Sequence, residues 1–194
     1  MASNQAEMSP TEPSPALRAW LHERQLSGYL RVLATDPWAD VEAALATINV
    51  EEITAEAIRA YLDLPDGGVK DVEMLTHERI TAYYGDFSTT SKTYKTLGGQ
   101  SELLKEFSVL FMTVALLHLN VHAMPRGKGS LLVAEFEGQR IDWAEWTAES
   151  ILREIAANRK KPVTVLAYWL AIFSPPPSGV AKPASRPPSQ GTSG

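Results

Sequence analysis

The side-chain pattern with the most specific chemical meaning is a pair of histidines, His118 and His122, four positions apart. On a helix this spacing places two imidazole rings on one face, which is half of a metal site. Leu119 stands where zinc peptidases carry a glutamate after the first histidine, and the chain offers no third ligand close by. We therefore expect no metal site, and we interpret the two histidines as the polar end of a buried helix.

A second candidate is the run Arg126-Gly127-Lys128-Gly129-Ser130, which is similar to a phosphate-binding loop. Such a loop follows a strand and opens a helix, because the helix N-terminus and the backbone N–H groups bind the phosphates. Here a predicted helix precedes the run and a predicted strand follows it. We therefore expect a solvated turn after Pro125, with its basic side chains on the surface.

Basic residues gather in the second half of the chain and could attract phosphate groups or an acidic partner. Lys92 and Lys95 would extend this basic strip, and Trp143, Trp146 and Tyr168 could stack on bases. Basic residues near a helix end also complement the helix dipole, which is an alternative role for residues 159–161. The candidate partner or nucleic-acid contacts are Arg126, Lys128, Arg159, Lys160 and Lys161.

Catalytic residues are not indicated by any spacing in the chain. Cysteine is absent, which excludes disulfides, thiolate catalysis and cysteine-bound metal centres. The paired carboxylates fall on predicted caps, turns and exposed helix faces, and no serine stands in a nucleophile-elbow context. We expect a protein that is not an enzyme, with no cofactor and no small-molecule substrate.

Charge is distributed unevenly along the 194 residues. Residues 16–86 carry six Lys or Arg against 13 Asp or Glu, whereas residues 87–173 carry ten against eight. An acidic first half and a mildly basic second half favour head-to-tail or intramolecular docking, and they argue against nucleic-acid binding by the first half. Two simply solvated faces would give the same composition.

Apolar residues at three- and four-residue spacing predict a mainly α-helical fold. Helix starts are predicted at Ser14-Pro15, at Asp36-Pro37, at Asn49 with Glu52, and at Asp142 with Glu145. Helical patterns also cover residues 69–84 and 101–124. Strand signal is limited to a candidate hairpin over residues 131–141.

The apolar stretch over residues 107–124 raises the question of a membrane span, since its 18 residues lack a formal charge. Histidines and an asparagine interrupt it, so we expect a buried core helix, with membrane association as the alternative. Residues 1–15 lack the basic segment and apolar run of a signal peptide. A cytoplasmic location is the expectation.

The predicted organisation has five parts. Residues 1–15 and the Pro/Ser-rich residues 174–194 are expected to be disordered. Residues 16–84 form an acidic helical module, residues 85–100 a linker or mobile loop, and residues 101–173 a second helical region. The two regions would form either two small helical bundles or one continuous helical domain.

The acidic module resembles a sterile alpha motif domain. The matching residues are Leu17, Trp20, Leu21, Leu26, Tyr29, Leu33, Leu45, the run 48–53, Leu64, Val69, Lys70, Met74 and Leu75. The resemblance implies a five-helix bundle that binds proteins by head-to-tail association and sometimes polymerises. The family's Gly-His-Arg before its last helix is Gly68-Val69-Lys70 here, which departs from the basic end surface of the family.

These patterns predict a non-enzymatic protein that acts by association with itself or with another protein through helical surfaces, as a homo-oligomer. The alternative is a viral coat or nucleocapsid-like protein, located in the virion, that binds RNA through its basic second half. A net charge of −5 argues against the alternative, because proteins that neutralise RNA are usually basic.

Overall fold

A computed structural model of the chain describes residues 12–85, 87–88, 93–94, 101–118 and 124–174. Within these ranges the chain forms nine α-helices, one short 3-10 helix and three two-residue strands, so the predicted mainly α-helical class is confirmed. The helices are α1 (Pro15–Glu23), α2 (Gly28–Leu33), α3 (Val41–Leu45), the 3-10 helix (Val50–Glu52), α4 (Ala55–Leu62), α5 (His77–Tyr84), α6 (Glu102–Val114), α7 (Arg126–Phe136), α8 (Trp143–Ala157) and α9 (Thr164–Phe173).

The strands form a small antiparallel sheet in the order β1 (Phe87–Ser88), β2 (Thr93–Tyr94) and β3 (Met124–Pro125). Two of them lie in the stretch predicted as a linker, and β2 pairs with the residues immediately before α7. Part of the stretch over residues 85–100 is therefore tied to the second helical region. Gly85 ends α5, and residues 86, 89–92 and 95–100 lie outside the described ranges.

Side-chain caps fix several helix starts where the sequence predicts them. The Ser14 hydroxyl accepts a hydrogen bond from the Leu17 backbone N–H (3.2 Å), and Asp142 accepts one from the Glu145 backbone N–H (3.2 Å). The start predicted at Asp36 is wrong by one turn, because α3 begins after Asp40, whose carboxylate accepts from the Ala43 N–H (2.8 Å).

Both regions of the chain share one hydrophobic core. Of the two predicted architectures, the structure therefore has the single continuous helical domain. Helix α3 packs against α9, and α4 packs against α8. Tyr29 of α2 lies at the centre of this contact, with its ring 4.8 Å from that of Phe111 and its hydroxyl 2.7 Å from the Thr147 hydroxyl. Neither region buries its apolar faces without the other.

The hairpin predicted over residues 131–141 is wrong, and so is the turn predicted over residues 126–130. Residues 126–136 form helix α7, despite two glycines in its first turn. A Cβ atom at Gly129 would lie 2.7 Å from Ile80 Cδ1 and 2.9 Å from Met124 Cε. Glycine therefore lets α7 pack against α5 without displacing these two side-chain ends, although glycine costs a helix about 1 kcal/mol.

Two other helices are shorter than predicted. Residues 69–75 lie outside any helix and are held by a parallel β-bridge between Val69 and Ile141, so α5 begins only after its cap Thr76. Helix α6 ends at Val114, and Leu117 has a left-handed backbone conformation with φ of 45°. The apolar run over residues 107–124 is therefore not one helix. Among the helices that the structure describes, none has the length and apolar character needed to cross a bilayer.

The boundaries of the predicted disordered ends need correction at both inner edges. Ser14 caps α1, and its backbone N–H donates to Glu106 of α6 (3.2 Å). Ser174 is buried, and its hydroxyl donates to the Ala44 carbonyl oxygen of α3 (3.3 Å). Residues 1–11 and 175–194, which make up most of both predicted ends, lie outside the described ranges.

Gly28 permits a close approach of α2 to the end of α4. A Cβ atom at this position would lie 2.0 Å from the Leu62 carbonyl oxygen, which is backbone and cannot rotate away. We expect Gly28→Ala to lower the free energy of unfolding by about 1–3 kcal/mol, the usual cost of overpacking. Urea unfolding measures it, with Gly127→Ala as control because only Met74 Cε, at 3.8 Å, would meet that Cβ atom. Equal effects of the two substitutions would contradict this account.

Candidate anion-binding cleft

Two of the five predicted contact residues, Lys128 and Arg159, line the same cleft, which has a volume of about 200 Å³. Arg126, Lys160 and Lys161 are exposed, adjacent in the chain to these two, and do not line it. Lys92 and Lys95 lie outside the described ranges. The lining residues are Leu116, Leu117, His118, Lys128, Ser150, Arg153, Glu154 and Arg159.

Three segments of the chain position these side chains. Lys128 projects from the first turn of α7, and Ser150, Arg153 and Glu154 share one face of α8. Asn158 ends α8 in the left-handed conformation, with φ of 45°, which asparagine tolerates better than most residues. This turn brings the Arg159 Nε atom back to within 3.3 Å of Glu154 Oε2.

The charges in the cleft are mostly positive. Lys128, Arg153 and Arg159 face one carboxylate, Glu154, which is only 7% exposed and pairs with Arg159. Arg153 is exposed and makes no ion pair with any residue of the described ranges. One guanidinium group therefore remains available to an anion that enters the cleft.

The surroundings of Lys128 in the cleft alter its titration. Its Nζ atom lies 3.0 Å from His118 Nδ1, and its side chain is half-buried. Burial, and next the positive charge of Arg153, lower the pKa of Lys128 to about 8, while Glu154 opposes this shift. The cleft thus holds a lysine that loses its proton within the neutral-to-alkaline range.

The histidine pair does not form the predicted helical arrangement, because His118 lies beyond the end of α6. His122 falls outside the described ranges. Within the ranges that the structure does describe, no group of three or more acidic or histidine side chains is placed to hold a metal ion. His118 instead lies within hydrogen-bond distance of the Lys128 side-chain nitrogen.

The sequence prediction missed Arg153, although a signal for it was present. Arg153 and Glu154 follow Ser150 by three and four positions, so on the predicted helix both lie on the same face as Ser150. What the sequence does not show is which neighbouring element this face meets.

Two of the three aromatic residues proposed to stack on bases are engaged by other groups of the chain. Trp143 is buried and its Nε1–H donates to Glu135 (3.0 Å). Trp146 donates to the Lys70 carbonyl oxygen (2.6 Å) and carries the Lys70 ammonium group over its ring, 5.2 Å from the centroid. Tyr168, the third, is half-buried and packs against the core.

A second charged feature is the acidic segment, which we define as residues 32–58. It contains no Lys, Arg or His, and none of its carboxylates joins an ion pair among the residues described. All six of its acidic residues are exposed: Asp36, Asp40, Glu42, Glu51, Glu52 and Glu56.

The acidic segment passes two of the helices that surround the second half of the core. Its α3 part packs on α9, where Ser174 contacts Ala44, and its Glu56 lies on α4, which packs on α8. Among the residues described, no carboxylate of the acidic segment forms an ion pair with a residue of the cleft. The two opposite charges are therefore not paired with each other within the described part of one molecule.

Comparison with known proteins does not assign this chain to a family. A scan against protein-family models, a search of curated proteins and a search of solved structures each gave no match. The functional argument therefore depends on the cleft and the acidic segment themselves.

Proposed function

We propose that this chain is a non-enzymatic association protein in which the acidic segment of one copy docks on the basic cleft of the next. The cleft carries the proposal, because it presents more positive than negative charge and leaves the Arg153 guanidinium without an ion pair in the described ranges. Exposed carboxylates are the matching group, since guanidinium binds them through two parallel hydrogen bonds.

The absence of pairing within one molecule indicates the kind of assembly. Because no carboxylate of the acidic segment forms an ion pair with its own cleft among the residues described, each molecule can engage one neighbour through its cleft and another through its acidic segment. Such a heterologous contact produces rings when the rotation closes and filaments when it does not. The predicted resemblance of residues 16–80 to a sterile alpha motif domain implies the same head-to-tail mode.

Association should therefore depend on salt and on both surfaces. We expect light scattering to show oligomers at about 50 mM salt that dissociate at about 0.5 M, where screening is stronger. Arg153→Glu should give monomers, and so should the double variant Glu51→Arg with Glu52→Arg. Arg18→Glu, which changes an exposed residue of α1 outside both surfaces, serves as the control and should keep the oligomers.

A mixture of the two monomeric variants makes the test specific. Each variant retains one working surface, so the mixture should form one-to-one dimers and nothing larger. Dimers that grow further, or no association in the mixture, would contradict head-to-tail docking.

Nucleic-acid binding is the second candidate, favoured by the exposed Arg126, Lys160 and Lys161, which stand within two residues of the cleft residues Lys128 and Arg159 in the chain. The engaged Trp143 and Trp146 rings argue against it, because single strands usually stack on free aromatic side chains. Titration of the protein with a labelled single-stranded RNA separates the candidates. RNA binding that Arg153→Glu abolishes, with a log–log salt slope of about −0.7 for each phosphate contact, would replace the association proposal.

A further inference from the structure

We propose that Lys128 is a reactive lysine and that the cleft captures a small phosphorylated aldehyde, which forms an imine with the Lys128 amine while Arg153 and Arg159 bind its phosphate group. This inference concerns the chemistry inside the cleft and does not depend on the association of copies. It would add a covalent ligand site to a protein otherwise interpreted as a binding module.

The geometry provides a nucleophile, a proton carrier and an anion site around one space. Lys128 Nζ lies 3.0 Å from His118 Nδ1, so the imidazole is within hydrogen-bond distance of the reacting nitrogen. Arg153 and Arg159 line the same cleft, and Arg153 makes no ion pair within the described ranges. A volume of about 200 Å³ admits a small molecule.

The amine of Lys128 is available as a nucleophile near neutral pH. Its half-buried position and the facing Arg153 disfavour the protonated form, whereas Glu154 favours it, and the pKa falls to about 8. At pH 7.5 about a quarter of Lys128 is then unprotonated, against about 0.1% of a lysine with the ordinary pKa. The other groups facing it are His118 and Arg159, and neither supplies a negative charge that would restore the proton.

The covalent step balances without any oxidant or reductant. The nitrogen lone pair attacks the aldehyde carbon, the carbon–oxygen π electrons move to oxygen, and a proton passes from nitrogen to that oxygen to give a carbinolamine. Expulsion of water then forms the carbon–nitrogen double bond. One amine and one aldehyde yield one imine and one water, and hydrolysis reverses the reaction.

A phosphate group on the aldehyde fits the arginines better than a neutral substituent does. Planar guanidinium groups bind phosphate oxygens in pairs, and they retain their charge at every pH at which Lys128 titrates. Binding of the phosphate also holds the aldehyde near Nζ, which raises its effective concentration.

Reductive labelling tests the proposal on the intact chain. Pyridoxal 5′-phosphate is the probe, borohydride fixes the imine, and peptide mass spectrometry measures the label at each lysine. At pH 7.5 we expect labelling of Lys128 to be at least about tenfold faster than labelling of Lys105 or Lys160, because the gain in unprotonated amine exceeds the loss of nucleophilicity. The rate at Lys128 should level off above pH 8, whereas that of free Nα-acetyl-lysine keeps rising.

A matched pair of probes isolates the arginines. Pyridoxal lacks the phosphate, so the ratio of rates with pyridoxal 5′-phosphate and pyridoxal at Lys128 reports phosphate binding alone. We expect the double variant Arg153→Gln with Arg159→Gln to reduce this ratio by about tenfold, with circular dichroism confirming that it is folded. Labelling of Lys128 no faster than that of Lys105, or an unchanged ratio in the double variant, would overturn the proposal.

Discussion

Replacement of Arg24 with methionine should lower the free energy of unfolding by about 3–5 kcal/mol. The Arg24 Nη2 group donates to Glu135 Oε2, and this carboxylate has no exposed surface. Glu135 also accepts the Nε1–H of Trp143, but that neutral donor does not offset a full negative charge. Loss of Arg24 thus leaves a buried carboxylate without its counter-ion, and urea unfolding would measure the cost.

A second substitution separates the charge from the packing. Glu135→Gln in the Arg24→Met background removes the buried charge and keeps an oxygen for Trp143, so it should recover most of the lost stability. If the double variant is as unstable as Arg24→Met alone, the cost arises from the lost contacts of the arginine side chain and not from the unpaired charge.

Replacement of Trp169 with alanine should also cost about 3–5 kcal/mol, and it should destabilise both regions of the chain together. Trp169 on α9 has no exposed surface, and its Nε1–H donates to the Val114 carbonyl oxygen (2.9 Å). Its ring lies 6.4 Å from that of Tyr29, which belongs to the first region. Urea unfolding followed by circular dichroism, with hydrogen exchange at the amides of α2 and α4, measures both effects.

Leu152→Ala is the matched control, because this leucine is 36% exposed on α8 and should lose less than about 1 kcal/mol. A single unfolding transition is expected in each variant, since one core serves both regions. Two separate transitions, with α2 and α4 unaffected by Trp169→Ala, would show that the first region folds by itself.

Two neighbouring apolar residues of α1 are buried to different depths. Leu21 is buried, whereas Trp20 beside it is half-buried and packs on Phe107, with ring centroids 4.6 Å apart. Helical periodicity identifies the apolar face of α1, but how deep each residue of that face lies depends on the side chains of α6.

The sequence alone determined the features that depend on neighbours within one turn of helix. The hydroxyl of Ser14 and the carboxylate of Asp142 satisfy backbone N–H groups three residues ahead, so both helix starts are readable from the chain. The mainly α-helical class follows from the three- and four-residue spacing of apolar residues, which is also local information.

Helix α6 is shorter than predicted, and α7 replaces a predicted turn and hairpin, because the limits of both helices depend on distant contacts. Gly127 and Gly129 predict a turn by local preference, whereas the structure forms a helix here that packs on α5 and α6. The chain leaves α6 near Leu117, which has a positive φ. Because leucine rarely adopts this conformation, the residue type gives no local signal that the helix ends there.

The cleft was decided by the tertiary structure as well. Lys128, Arg153 and His118 come from three separate segments, and only the packing of α6, α7 and α8 around one core brings them together. The sequence showed that the second half was basic, which is a sum of charges. It did not show that burial beside Arg153 would lower the pKa of Lys128, because desolvation depends on which atoms surround a group and not on its place in the chain.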